Sequence, residues 1–364
     1  MSRSLLFIPD ISGFTKFVQT TEVEHSQHVI SELLEVLISA NTQELKLAEI
    51  EGDALFFYKE DEITSQEKLL AQIETMFTAF YGHLRLLEKN RICPCNACAT
   101  APNLQLKVIA HSGDLQFIQV QGNRKPFGQH VIEAHRLLKN SVDSDNYALI
   151  SKALANDLEL PINYSSKVYQ FREGKNLYDG KEVEYIYSLI DIEKLNLNSF
   201  SQAKKVVFNH APNIVLEDQF PIAAESLLEY ITNYAYRHHW VKGVDKFEYK
   251  TNEVTRLGTE HVCVINDKQL NFVTVTKSSE PGQLVYGELT ASAPLVKELY
   301  QFYVITPITS TQCNLRLEVY WESKSIPKKI VSYLILNRAF KKNASNGLNG
   351  LMQFVAQSGE SKTA

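Results

Sequence analysis

The chain has 364 residues, of which 44% are hydrophobic and 22% are charged, a composition typical of a globular protein long enough for two domains. Its net charge of −5 at pH 7 leaves no basic excess to neutralise phosphates, which argues against a general nucleic-acid-binding protein. No apolar run reaches the length of a membrane span, and the N-terminus lacks the layout of a signal peptide. We therefore expect a cytoplasmic protein.

The first half of the chain alternates strand-like and helical segments. Apolar strands are predicted over 4–9 and 53–58, and apolar residues at helical spacing predict a helix over about 24–40. Thr64 and Glu67 have the spacing of a capping box that opens a helix ending near residue 89. Further strands are predicted over 104–113, 115–121, 166–171 and 183–190, with a helix over 131–140. Helices mixed with adjacent hairpin strands predict an α+β sandwich with a mixed sheet.

A polar segment without periodicity, residues 192–205, is interpreted as a linker. It divides the chain into a first domain over 1–191 and a second domain over 206–364. Residues 213–323 are mostly short strand-like runs with turn signals between them. The apolar residues near the end predict helical structure, with a break near Asn346 and Gly347.

Two acidic residues lie at the edges of predicted strands in the first domain. Asp10 follows the first strand in "FIPDISGFT", and Asp53 opens the second strand in "EIEGDALFFY". A helix separates the two strands, so the acids can converge on one hairpin edge, where hard carboxylate oxygens suit Mg²⁺ or Mn²⁺. An isolated aspartate at a strand end is more often a helix cap or a solvated turn. The pair in these two contexts favours a metal site.

Four segments in this order resemble the class III nucleotidyl cyclases, the adenylyl and guanylyl cyclases. The segments are "FIPDISGFT", "EGDAL", "LKVIAHSGDL" and "FGQHVIEAHRLLKN". The resemblance covers roughly residues 4–190 and implies the ferredoxin-like α+β sandwich of that family, with a role in signalling. It is closest to a little-characterised bacterial branch that joins such a domain to a second one.

The resemblance implies a site for metals and a nucleoside triphosphate. Asp10 and Asp53 would hold Mg²⁺ or Mn²⁺ with help from the Ile11 carbonyl, and Phe14 and Thr15 would line the triphosphate. Amides at the helix start behind Gly13 could point at phosphates.

Two lysines occupy positions that the resemblance assigns to phosphate contacts. Lys107 lies on the central strand, and Lys181 lies in "DGKEVEYIYSL". For Lys181, the weakest of these assignments, an exposed lysine in a turn is the favoured interpretation.

Glu49 and Lys125 match the positions that recognise the base in the cyclases. An ionised glutamate only accepts hydrogen bonds and a lysine only donates them. The pair is compatible with guanine, with adenine, or with a plain ion pair that recognises neither. The choice between ATP and GTP therefore stays open.

The main departure from the cyclase pattern is Ile132, where the family has an asparagine that supports the transition state. Isoleucine cannot form that hydrogen bond, and the loss of one such donor costs about 10²–10³ in rate. Arg136, one helical turn later, remains as the cation on the phosphate side. The sequence thus favours nucleotide binding over turnover, with an active cyclase and a non-catalytic interaction module as alternatives. Since the family site forms between two domains, catalysis would require a homodimer, whereas capping by the second domain would leave a monomer.

Three of the five cysteines crowd into "RICPCNAC". Cys93, Cys95 and Cys98 follow the spacing C-x-C-x2-C, which predicts either a zinc site or a reduced loop. A tetrahedral zinc site needs a fourth ligand, for which His83 and His111 are the candidates.

The second domain resembles the START-like helix-grip superfamily, which includes polyketide cyclases. The resemblance rests on "RHHWVKGV", "RLGTEHVCV" and the apolar C-terminal helical segment. It implies a long helix across a curved antiparallel sheet and a pocket for an apolar small molecule, with His238 and His239 as candidate lining residues. A filled core without a ligand fits the same pattern.

Overall fold

The computed structural model describes residues 3–197, 203, 205–293, 296–323 and 329–360, which form two compact units. The first unit comprises Met1–Glu88 and Thr100–Phe200, and the second comprises Lys89–Ala99 and Ser201–Ala364. Residues 198–202 and 204 of the predicted linker lie outside the described residues.

The first unit contains nine strands and most of the helices described before residue 198. The strands are β1 (Ser4–Ser12), β2 (Lys46–Glu51), β3 (Ala54–Lys59), β4 (Gln105–Gly113), β5 (Gln116–Val120), β6 (Asn123–Phe127), β7 (Tyr147–Ser151), β8 (Arg172–Tyr178) and β9 (Lys181–Leu189). The helices of this half of the chain are α1 (Phe14–Thr20), α2 (Val23–Ser39), α3 (Gln66–Lys89), α4 (Asn96–Thr100), α5 (Gln129–Arg136) and α6 (Lys152–Asp157). Helix α4 and the end of α3 fall at the segment 89–99 that belongs to the second unit.

A seven-stranded mixed sheet organises the first unit. Its strand order is β2-β3-β1-β4-β7-β9-β8, in which β4 and β7 are parallel and the other neighbours are antiparallel. Alternate residues of β1, including Leu6 and Ile8, pack with Ala134 and Leu137 of the α5 region in one buried cluster. The predicted α+β class with a mixed sheet is confirmed.

Local differences from the sequence predictions have identifiable causes. Helix α3 is capped by Ser65, whose hydroxyl accepts the Lys68 amide at 3.4 Å, whereas the buried Thr64 hydroxyl has no hydrogen-bond partner among the described residues. The strand predicted over 166–171 is wrong, because the paired strand β8 begins only at Arg172. Strand β6 was not predicted, and helix α5 is shorter than expected.

The second unit contains seven strands and three helices in its described part after residue 205. The strands are β10 (Ile214–Phe220), β11 (Lys246–Glu248), β12 (Glu260–Ile265), β13 (Lys268–Val275), β14 (Leu284–Thr290), β15 (Val296–Thr309) and β16 (Gln312–Ser323). The helices are α7 (Ala224–Thr232), α8 (Tyr234–Trp240) and α9 (Lys329–Glu360). The strands form one antiparallel sheet of order β10-β16-β15-β14-β13-β12-β11.

Helix α9 is the main difference from the prediction for the second unit. It runs through Asn346 and Gly347 without the predicted break. Leu348 and Leu351 of α9 lie in the same buried cluster as Leu315 of the sheet, so packing holds the helix together at this point. No helix in the described part of the chain is both long and apolar enough to cross a membrane.

Two glycines of α9 allow a matched test of this packing. A Cβ atom at Gly350 would lie 2.2 Å from the Trp240 carbonyl oxygen, whereas one at Gly347 would meet nothing within 4 Å. We expect Gly350→Ala to lower the free energy of unfolding by about 1–3 kcal/mol through overpacking. Gly347→Ala should raise it by up to about 1 kcal/mol, because alanine favours a continuous helix.

Urea unfolding, monitored by tryptophan fluorescence, measures the free energy of unfolding of both variants, since Trp240 and Trp321 lie in this unit. Destabilisation by Gly347→Ala would contradict the continuous helix.

Candidate functional site

Strand pairing brings Asp10 and Asp53 to the same edge of the sheet. Asp10 of β1 is the register partner of Ala54 of β3, and the Ile11 amide donates to the Asp53 carbonyl at 3.1 Å. Gly52, with φ of 67°, makes the left-handed turn that leads into Asp53. Asp10, Ile11 and Asp53 therefore lie at or next to the last contact between β1 and β3.

Lys107 completes this edge from the other neighbouring strand. It is the register partner of Asp10 on β4, and its Nζ lies 3.4 Å from Asp10 Oδ1. The lysine predicted to contact phosphate therefore contacts the first acid.

The electrostatics of the two acids are unfavourable to their charged forms. Burial raises the pKa of Asp10 to about 6, and the charges of Asp53 and Asp145 add to this while Lys107 opposes it. Burial also raises the pKa of Asp53. A cation placed beside the two carboxylates would relieve this cost.

Ser12 lies two residues beyond Asp10 on β1. Its hydroxyl is buried and has no hydrogen-bond partner among the described residues. Because side chains alternate along a strand, Ser12 and Asp10 lie on the same face of β1. The two carboxylates are hard oxygen ligands, and their chemistry fits Mg²⁺ or Mn²⁺.

Phe14 and Thr15 begin helix α1 directly after this edge. Gly13 precedes them with φ of 88°, a backbone conformation that favours glycine. The Phe14 ring lies beside the turn that carries Asp53, because a Cβ at Gly52 would meet its Cε1 at 4.0 Å. Thr15 is exposed.

The residues predicted to recognise the base form an ion pair. The Lys125 ammonium on β6 contacts Glu49 Oε1 on β2, and both side chains remain partly exposed. The hydrogen bond from Lys125 lowers the pKa of Glu49. The plain ion pair is thus the arrangement seen within the chain.

Helix α5 separates two kinds of side chain. Ile132 is 51% exposed and Arg136 makes an ion pair with the exposed Asp179, so both lie on the outer side. Glu133 points inward, and Lys181 contacts it. Lys181, predicted to contact phosphate, is therefore paired with a glutamate.

Glu133 belongs to a buried cluster that the sequence predictions missed. Its Oε2 lies 3.5 Å from His111 Nε2 and 3.3 Å from His130 Nδ1, and the two histidine nitrogens are 3.1 Å apart. Gly113 makes room for the His130 ring, which a Cβ atom would meet at 2.1 Å. Burial lowers the pKa of His111 to about 4. The i,i+3 spacing of His130 and Glu133 is the sequence signal from which this cluster could have been predicted.

The cysteine cluster forms, but not with the histidines suggested for it. Cys93, Cys95 and Cys98 have their sulfur atoms within 4.8 Å of one another. His83 Nε2 instead lies 2.8 Å from Glu32 Oε2, and His111 Nδ1 lies 2.8 Å from the Ser151 hydroxyl. Both rings are engaged with partners in the first unit.

His238 and His239 are exposed and do not line the cavity found in the second unit. That cavity has a volume of about 360 Å³ and is bordered by the neighbours Arg237 and Trp240. The helical turn of α8 points these two residues inward and leaves the histidines outside.

Comparison with known protein families and sequences gives partial matches. A family model described as "Protein of unknown function (DUF2652)" matches residues 30–147. The chain is 32% identical over 130 residues to "Uncharacterized protein Rv2561/Rv2562" of Mycobacterium tuberculosis. That alignment covers 36% of this chain and 60% of the length of the relative.

Solved structures similar to the chain include nucleotidyl cyclase domains. The adenylyl cyclase CyaB from P. aeruginosa aligns with 52% of this chain and 94% of its own, at 18% identity and a TM-score of 0.39. The guanylate cyclase domain of RhGC from Catenaria anguillulae, in complex with GTP, covers 52% of this chain and 97% of its own, at 13% identity and a TM-score of 0.36. A rhodopsin-guanylyl cyclase catalytic core in complex with ATPalphaS covers 52% and 96%, at 13% identity and a TM-score of 0.38.

The raised pKa of Asp10 predicts how this residue affects stability. The native state keeps the Asp10 proton up to a pH of about 6, whereas an unfolded chain loses it near 3.8, so stability falls as the pH rises through this window. We expect Asp10→Asn to stabilise the metal-free first unit at pH 7 by about 1–3 kcal/mol, and to have little effect at pH 4.

Hydrogen exchange of the β1 and β4 amides in the presence of a chelator measures this effect, because both tryptophans lie in the other unit. Equal protection of variant and wild type at pH 7 would show that Asp10 is not held in an unfavourable charged state.

Proposed function

We propose that the first unit binds a nucleoside triphosphate, ATP or GTP, together with Mg²⁺ or Mn²⁺ at Asp10 and Asp53, and turns it over weakly or not at all. The observation that supports this most is the placement of both acids at one strand contact, with Lys107 beside Asp10. The four ordered motifs shared with the class III cyclases supply the ligand class.

The chemistry of this edge suits a metal-bound polyphosphate. The two carboxylates would hold a divalent cation, and that cation would supply binding to phosphate oxygens that the acids alone would repel. Lys107, now beside Asp10, would supply a positive charge for a phosphate oxygen at the same place.

Helix α5 supports binding more than turnover. The exposed Ile132 offers no hydrogen bond at the position where the cyclases use an asparagine. Arg136 must leave Asp179 before it can contact a phosphate, which an exposed ion pair permits at small cost. A catalytic site would also need the complementary face of a second copy, so turnover would depend on a homodimer.

Binding of nucleotide is expected to require Asp53. In calorimetry with Mn²⁺ and non-hydrolysable ATP or GTP analogues, wild type should bind at least one of them, because both acids hold the metal. Asp53→Asn should weaken that binding by at least about tenfold, or 1.4 kcal/mol, since one metal ligand loses its charge. Asp114→Asn, which changes an exposed aspartate on a turn of the same unit, is the matched control.

Product analysis with Mn²⁺ and ATP or GTP in place of the analogues separates the alternatives. Wild type should form little or no 3′,5′-cyclic nucleotide, and Ile132→Asn should increase it by up to about 10²–10³ if the missing hydrogen bond limits the rate. Strong product formation by wild type would favour the active cyclase. No binding heat with either analogue would leave the unit as an interaction module.

For the second unit we propose an apolar small molecule as the ligand of a START-like domain. The cavity of about 360 Å³ lies in the size range of small-molecule sites. Its apolar walls include Trp240, Phe247, Phe272, Leu317, Leu348 and Leu351. Helix α9 and the antiparallel sheet both contribute to these walls, as expected for a helix-grip arrangement.

One end of the cavity is polar. Arg237 Nη2 lies 2.6 Å from Glu288 Oε1, and both side chains are buried. Tyr286 donates a hydrogen bond to Glu288 at 2.7 Å. Burial alone would raise the pKa of Glu288, but the Arg237 charge, His261 and the hydrogen bonds from Tyr286 and Arg237 together outweigh burial and lower this pKa. Because the charges of Arg237 and Glu288 cancel, the ligand needs no charge of its own. A molecule with an apolar body and one neutral polar group would fit this cavity.

Filling the cavity should abolish binding of an apolar probe. We expect wild type to bind the dye Nile red, and Ala344→Trp to weaken binding at least about tenfold by occupying the space. Ile308→Trp, at an exposed strand position of the same unit, should bind like wild type. Fluorescence titration measures all three, and equal binding by Ala344→Trp would place the dye outside the cavity.

A further inference from the structure

The cysteine segment of the second unit is held at a fixed place in that unit. Asn90 is buried, and it exchanges hydrogen bonds with the Leu257 backbone, where its carbonyl accepts at 2.9 Å and its side-chain amide donates at 3.0 Å. Ile92 packs against the core of the unit. The backbone is therefore anchored to the unit directly before the three cysteines.

The three thiol groups converge within this segment. All three cysteines are free of disulfides, and their sulfur atoms lie within 4.8 Å of one another. Helix α4 begins directly after Cys95, and the turn directs the Cys98 amide to the Cys95 sulfur at 3.4 Å. An amide that donates to a sulfur stabilises that sulfur as a thiolate. Cys98 is buried, so the cluster has an inner side closed to water.

The separation of the sulfur atoms is close to what a zinc ion requires. Tetrahedral zinc with bonds of about 2.3 Å to sulfur places two thiolates about 3.8 Å apart. The observed upper limit of 4.8 Å differs from this by only about 1 Å, a shift that side-chain rotation can supply. A disulfide needs two sulfur atoms at about 2.0 Å and would leave the third cysteine out.

We infer that Cys93, Cys95 and Cys98 form a binding site for a soft divalent cation, with Zn²⁺ as the expected ion. Each thiol loses its proton to the solvent as its sulfur binds, so three protons leave for each ion that enters. The resulting group has a net charge of −1, and a fourth ligand from outside the triplet completes the tetrahedron. This site is separate from the acids of the first unit and holds the segment 89–99 in one shape.

The full chain purified under reducing conditions without chelator tests the inference. Elemental analysis should find about one zinc per chain, and X-ray absorption should find three sulfur atoms at about 2.3 Å from it. Cys95→Ala should lose most of the zinc, and Co²⁺ should give a thiolate charge-transfer band in wild type only. Cys263→Ala removes a cysteine from strand β12 of the same unit and is the matched control.

Three results would overturn the inference. They are no zinc after reconstitution with excess ion, zinc bound without sulfur ligands, and equal zinc loss in Cys95→Ala and Cys263→Ala. Because the absorption measurement uses wild type, a folding failure of Cys95→Ala leaves the test intact. Asp53→Asn should keep its zinc, so failure of this site and failure of the nucleotide site are distinguishable.

Discussion

The pairing of β1 with both β3 and β4 is the constraint on which the account of the first unit depends. It sets Asp10 opposite Ala54 on one side and opposite Lys107 on the other, and it ties Ile11 to the Asp53 backbone. A shift of one residue in either register would turn Asp10 to the opposite face of the sheet. The charged forms of these half-buried carboxylates are unfavourable by themselves, and a divalent cation beside them would remove that electrostatic cost.

The two sides of helix α5 are the basis for proposing nucleotide binding with little or no turnover. The inner side is occupied by Glu133, which joins His111 and His130 and so fixes the helix to β4. The outer side has the apolar Ile132 and an Arg136 paired with Asp179. The second unit adds a cavity that is bordered by a buried Arg237–Glu288 pair.

Strong patterns made much of the fold predictable from the sequence. The apolar strands near 4–9 and 53–58 and the long helix ending near residue 89 are confirmed. Asp53 directly precedes β3 as predicted, whereas β1 continues past Asp10 to Ser12. Strand β6 was missed because Pro126 and its basic neighbours do not resemble a strand. Its formation depends on the tight turn at Gln121 and Gly122, where both φ angles are positive. Similarly, tertiary packing of Leu348 and Leu351 overrides the helix-breaking tendency of Gly347. Partners such as Glu133 depend on contacts across elements, which residue spacing alone does not specify.

Anomalous diffraction at the manganese edge, from crystals grown with Mn²⁺ and a non-hydrolysable triphosphate, tests whether Asp10 and Asp53 jointly hold a metal. We expect an anomalous peak within bonding distance of carboxylate oxygens from both residues, with phosphate oxygens completing the coordination. A triphosphate bound elsewhere, or a manganese peak that touches neither acid, would contradict it.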